Sequence, residues 1–143
     1  MVRTDVDRKL REPILITGSP RSGKTLVAWI LARAAGLTHV SEPLAAWALG
    51  AGVRSDDRRT PDEATPAVVK KIRKACARSL DYSGGGRYVD DLSYHALPMG
   101  FVRKVMPDAK LIHVVQDGYA AVPGMVRGWR HREPLARSLR RRL

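Results

Sequence analysis

Cysteine is nearly absent from this chain, and its single copy, Cys76, excludes an intrachain disulfide. That usage suits a reducing compartment, so the expected location is cytoplasmic. Long apolar runs are missing too: none approaches the roughly 20 residues of a membrane-crossing helix. Residues 1–12 alternate in charge and lack the apolar segment of a secretory leader. No helix-turn-helix, zinc-finger or aromatic RNA-binding signature is present, so nucleic acid is not the expected partner. No His/Cys cluster with ligand spacing occurs, so no metal is expected. There is no internal repeat. Acidic residues are scarce, 14 against 26 Lys and Arg, which leaves a net charge of +12. Such an excess favours polyanionic or phosphorylated partners through long-range attraction. What is present, 143 residues with 44% hydrophobic content, is enough for one domain around one core.

The charge is uneven. Residues 127–143 hold seven arginines and one acid, Glu133, a balance of +6 and half the total. The chain therefore divides into a polar lead-in (1–12), an α/β domain (13–127) and a solvated arginine-rich tail (128–143).

Residues 18–25 read Gly18-Ser19-Pro20-Arg21-Ser22-Gly23-Lys24-Thr25. They fit the phosphate-binding pattern G-x-x-x-x-G-K-[ST] without a mismatch. The apolar run Ile14-Leu15-Ile16 precedes the loop, and a helix-like run from Leu26 to Ala35 follows it. Strand, glycine loop and helix together make an anion site. The glycines let backbone N–H groups turn toward an anion, and the helix N-terminus adds partial positive charge. Lys24 offers a point charge and Thr25 a hydroxyl.

Along the chain, 13–17 reads as a central first strand, apolar on both faces. Residues 24–35 read as a helix with little polar face, hence well buried, and Gly36 as its left-handed cap. A short strand over 38–41 and a helical stretch over 44–49 follow, then a polar loop over 50–65. Thr65-Pro66 is a helix start, cap then first-turn proline. Val68, Ile72, Cys76 and Leu80 recur every four residues and form one apolar face, which makes Cys76 a core residue. After the break at 83–86 come a third strand (87–91), a helix over 94–105, a fourth strand over 111–115 that buries His113, and a helix over 118–127. Strands alternating with helices imply a parallel sheet covered on both faces, with ligands at the carboxyl ends of the strands. That edge carries the Gly18 loop, Glu42, Asp90-Asp91 and Gln116-Asp117.

Several of these pieces resemble one family. Gly18-Ser-Pro-Arg-Ser-Gly-Lys-Thr-Leu26 resembles the 5′-phosphosulfate loop of sulfotransferases, G-x-P-R-S-G-T-T-L. Ser41-Glu42-Pro43 is similar to the segment where many protein and carbohydrate sulfotransferases carry an acidic catalytic base. The run from Met106 to Val122 is similar to their second signature, F-P-x-A-K-x-I-x-x-V-R-D-G-R-x-x-V. The resemblance implies a three-layer, P-loop-like α/β fold with a mostly parallel sheet. It also implies transfer of a sulfuryl group from 3′-phosphoadenosine 5′-phosphosulfate (PAPS) to a hydroxyl acceptor, without a metal. By the same resemblance, the amides of Ser22–Thr25 hold the 5′-phosphate, Arg21 or Lys24 neutralises the leaving oxygen, and Glu42 takes the acceptor's proton. His95 is a second candidate base, set against the ordinary role of a core or surface histidine.

The departures from the family pattern are equally specific. Gln116 stands where the family has arginine, and Gly124 where it has serine; those two side chains hold the donor's 3′-phosphate in the family. Near residues 90–93 the family's acid-Lys-Thr-Pro is replaced by Asp90-Asp91-Leu92-Ser93. Losing two charged hydrogen bonds predicts donor binding weaker by roughly a hundred- to ten-thousandfold. The chain stops just after the second signature, where family members continue, so a C-terminally truncated member is expected. Two other readings remain. Lys24, where the family has threonine, suits a P-loop nucleotide kinase or NTPase, although magnesium then has no clear ligand beyond Thr25. The third is a non-catalytic protein that retained anion or nucleotide binding.

Overall fold

Strand β1 (Ile14–Gly18) lies inside a four-stranded sheet of order β2-β3-β1-β4, in which every pairing is parallel. Its neighbours are β3 (Tyr88–Asp90) and β4 (Lys110–Val114), and β2 (Thr38–Val40) lies outside β3. The computed structural model describes residues 4–51, 58–96 and 98–130. Helix α2 (Lys24–Ala35) connects β1 to β2. The short α3 (Leu44–Trp47) and the long α4 (Pro66–Tyr82) lie between β2 and β3, and α5 (Met99–Val105) lies between β3 and β4. Helix α6 (Gly118–Arg130) follows β4. The α/β architecture and the parallel sheet agree with the sequence reading.

Alternation along the strands builds the layers. Leu15 and Tyr88 join a large core with Trp47, Ile72, Phe101 and Val102. Ile16 and Val89 point the other way and pack with Ala28 of α2. Helix α4 starts as its sequence predicts: the Thr65 side chain accepts from the Val68 amide, and Pro66 occupies the first turn. Its face of Ile72, Cys76 and Leu80 is buried. Gly36 caps α2 at φ 62°. No helix among the described residues is long and apolar enough to cross a membrane.

Five local expectations change. The polar lead-in is not polar throughout and carries its own element: α1 (Asp5–Lys9) forms within it, closed by a capping box between Thr4 and Asp7, and Leu10 is fully buried. Helix α2 is not well buried. It meets the sheet through its small residues Ala28 and Ala32, which leaves Leu26, Trp29 and Ile30 exposed. The expected helix over 94–105 is split into a 3-10 turn (Ser93–Ala96) and α5, with Pro98 at the α5 cap. Pro98 has no N–H to donate to the carbonyl one turn back, which accounts for the break. His113 is exposed rather than buried, because among the described residues β4 is an edge strand paired only with β1. Helix α6 runs on to Arg130 with Pro123 inside it. The rest of the arginine-rich tail, from 131, and residues 52–57 of the polar loop lie outside the described residues.

The core also fixes a pH response. Burial pushes the Cys76 thiol up to about 12, and burial together with the neighbouring Asp90 charge pushes the Tyr88 hydroxyl well above its ordinary value. Both groups keep their protons in the folded chain, whereas the unfolded chain starts to lose the Cys76 proton near pH 9.0. Stability is therefore intact below that pH and falls as pH rises toward the folded value. The expected slope approaches about 1.4 kcal/mol per pH unit for the thiol. Urea midpoints measured across the alkaline range check this; Cys76→Val is expected to flatten the slope, and an equal slope in both chains would contradict it.

Candidate functional site

The loop is built by close approach and by left-handed backbone. A Cβ on Gly18 would lie 2.5 Å from the Val114 carbonyl oxygen and 2.8 Å from Ser22 Oγ, so only glycine lets the chain turn against β4. Arg21 and Gly23 have φ of 68° and 89°. Gly23 is the N-cap of α2, with no side chain capping the helix. Positive-φ backbone at a helix N-terminus gathers N–H groups into an anion-binding concavity. The Ser22 amide donates to the Ser19 carbonyl at 3.2 Å, which closes the loop on itself. The amides left for a ligand are those of Gly23, Lys24 and Thr25, one fewer than expected. Ser22 Oγ is buried without a hydrogen-bond partner.

Glu42 faces this loop. It follows β2 with φ 40°, a left-handed conformation that costs a non-glycine residue about 1–2 kcal/mol. Two contacts hold it. Its amide donates to Asp91 Oδ1 at 2.9 Å, and the Leu44 amide closes a tight turn onto its carbonyl at 2.7 Å. The carboxylate then meets Lys24: Nζ lies 3.0 Å from Oε1, with the Lys24 side chain 5% exposed and that of Glu42 62% exposed. A cavity of about 560 Å³ opens here, lined by Pro20, Arg21, Gly23, Lys24, Thr25, Ser41 and Glu42.

Two adjacent carboxylates, Asp90 at the end of β3 and Asp91 just after it, are separated by the parity of the strand. Asp90 shares the face of Tyr88 and is fully buried. It accepts from Trp47 Nε1 at 3.1 Å and Tyr88 Oη at 3.1 Å, and His95 Nε2 lies 2.8 Å away. Asp91 shares the face of Val89 and turns toward the first turn of α2. The Thr25 hydroxyl faces its carboxylate, and His39 Nε2 lies 3.2 Å from Oδ1. Burial alone would push the Asp91 carboxyl up; Thr25, the Glu42 amide and His39 outweigh burial and hold it below its ordinary value.

The site residues expected from sequence divide accordingly. Pro20, Arg21, Gly23, Lys24, Thr25 and Glu42 share the cavity, and Gly18, Ser19 and Ser22 shape the loop that bounds it. His95 does not join them. It is fully buried, lies 2.8 Å from Asp90 and packs edge-on against Trp47 at 4.4 Å, which places it in the core and outside the cavity lining. Gln116 is exposed and outside the cavity lining. Gly124 faces Arg21: a Cβ there would meet Arg21 Cβ and Cγ at 3.5 and 3.6 Å, and one on Gly128 would meet Arg21 Nη2 at 2.9 Å. The Arg21 side chain thus lies along α6. Asp117 accepts from the Ala120 amide at 3.1 Å and caps that helix. Sequence reading placed Asp91 at this edge but gave it no role. Its signal was the alternation after Val89, which becomes readable once β3 is known to neighbour β1.

Among the described residues no group of three or more His, Cys, Asp or Glu converges as a metal cage. A family model described as the sulfotransferase family matches residues 13–142. Searches of curated proteins and of solved structures give no match.

Proposed function

Because the chain belongs to the sulfotransferase family, we propose that it transfers a sulfuryl group from PAPS to a hydroxyl acceptor, with Glu42 as general base. The observation that carries this reading is the Lys24–Glu42 pair at 3.0 Å, set at the mouth of an uncapped loop. The uncapped amides and the unpartnered Ser22 Oγ suit a phosphate group.

The donor supplies an activated sulfur attached to the oxygen of a phosphate leaving group. In this reading the acceptor oxygen bonds to that sulfur, the sulfur–phosphate oxygen bond breaks, and the acceptor proton passes to a Glu42 oxygen. Lys24 holds the carboxylate in place and, with Arg21, faces the charge that develops on the departing oxygen. Catalysis of this kind is mainly positioning and charge stabilisation.

The test is transfer of labelled sulfate from PAPS to a panel of sugar, tyrosine and lipid hydroxyls, alongside calorimetry with PAPS. Wild type is expected to bind and transfer. Gly23→Val, which forces a branched side chain into the φ 89° position, is expected to lose both. Binding without transfer to any acceptor would favour a retained nucleotide-binding function instead. No PAPS binding at all would overturn the reading.

A further inference from the structure

Glycine is among the poorest residues inside a helix, yet α6 carries it at 124 and again at 128, one turn apart on one face. We propose that this pair is a seat for the Arg21 side chain and that Gly128 is a positioning residue. The room it leaves sets the direction of the guanidinium at the mouth of the anion loop. The inference rests on sulfuryl transfer at this site and adds to it a residue outside both the loop and the cavity lining.

Three observations meet here. The glycines follow the arginine along its length. A Cβ at 124 would stand 3.5 and 3.6 Å from Arg21 Cβ and Cγ, and one at 128 would stand 2.9 Å from Nη2, 3.3 Å from Nε and 3.5 Å from Cζ. The stem thus lies over Gly124 at ordinary contact, and the head lies over Gly128 with no room for a methyl group. Gly118, at the start of the same helix, faces open space, so the close approach belongs to the later pair. The backbone of Arg21 is constrained as well. Its φ of 68° is uncommon for a long side chain and fixes where the stem leaves the loop. Finally, no ion pair or hydrogen bond among the described residues holds the guanidinium. Arg21 is exposed and lines the cavity, so its donors stay open to a ligand while packing against α6 sets their place.

A guanidinium presents its donors in a rigid planar fork, so its direction counts as much as its distance. Misplacing such a group by about 1 Å can cost about a hundredfold in rate. A methyl group at 128 forces a shift, and what yields is the far end of a flexible side chain rather than the helix. Gly128→Ala therefore moves the guanidinium and spares the fold, since alanine is also the better helix former. Lysine at position 21 lacks the Nη atoms and escapes the contact.

Four chains test the role: wild type, Gly128→Ala, Arg21→Lys and the double variant. Single-turnover transfer is measured with calorimetry on PAPS and on its desulfated product. Gly128→Ala is expected to lower turnover about tenfold or more. It is also expected to weaken the product, which bears the full charge on the departing oxygen, more than PAPS. Its urea midpoint is expected to equal or exceed that of wild type. In the Arg21→Lys background the same alanine is expected to cost less than about twofold, because the group it displaces is gone. Unchanged turnover in Gly128→Ala, or an equal loss in both backgrounds, overturns the inference. Nitrogen-15 NMR of the Arg21 Nε–H, assigned by its disappearance in Arg21→Lys, separates the seat from the reading it rests on. The signal is expected to shift in Gly128→Ala whether or not a donor binds. An unmoved signal removes the seat, whereas a moved signal without PAPS binding confirms the seat and overturns sulfuryl transfer.

Discussion

Glu42→Gln is expected to lower sulfuryl-transfer turnover about a hundredfold or more, the usual scale for loss of a general base, with little change in PAPS affinity. The glutamine keeps the shape and an oxygen that can still accept from Lys24, so the loop retains its geometry. What goes is the site that receives the acceptor's proton. Lys24→Met is expected to cost at least as much, because it removes both the charge facing the leaving oxygen and the group that holds Glu42. The methionine fills the buried stem position, and Glu42, 62% exposed, returns to water at small cost. Since the two side chains touch, the double variant is expected to lose far less than the two single losses combined. Single-turnover rates on the four chains measure this. Full additivity would show that the pair does not act as a unit, and near-wild-type turnover in Glu42→Gln would remove it as the base.

Restoring the family's residues is expected to strengthen PAPS binding about a hundred- to ten-thousandfold. The variant is Gln116→Arg with Gly124→Ser. Resemblance to the family assigns both positions to the donor's 3′-phosphate. A new Cβ at 124 meets only Arg21 carbons at 3.5 and 3.6 Å, ordinary contact distances, so the serine fits without moving the helix. Replacing a glycine inside α6 also favours the helix, by up to about 0.5–1 kcal/mol. The gain is specific: it is expected for PAPS and to vanish for an analogue lacking the 3′-phosphate. Equal gains for both ligands would mean that the substitutions act through general charge, as would a gain lost entirely at high salt.

The sequence was most legible where local chemistry decides the structure. The span 24–35 of α2, its Gly36 cap, and the Thr65-Pro66 start of α4 follow from capping and glycine rules that act over four or five residues. The anion loop was readable for the same reason. What the sequence did not disclose depends on neighbours. A helix with so little polar face as α2 does not announce which face meets the sheet, and here two alanines win over Leu26, Trp29 and Ile30 because small residues allow close approach. His113 looked buried because its strand is apolar, but edge position is a property of sheet order. The pairing of Lys24 with Glu42 spans 18 residues and a strand crossover. Asp91 required two facts together, the phase of β3 and the identity of its neighbour.

That phase has a consequence for how this protein can change over evolutionary time. Asp90 belongs to the interior and Asp91 to the loop only because side chains alternate along β3. Substitutions at this strand end alter one role at a time. A single-residue insertion or deletion between Tyr88 and Asp91 would exchange the two carboxylates, putting the loop's anchor into the core and the core's acceptor beside Thr25. The strand's length is therefore under tighter constraint than the identity of any one residue in it, and drift here is open to replacement and closed to changes in length.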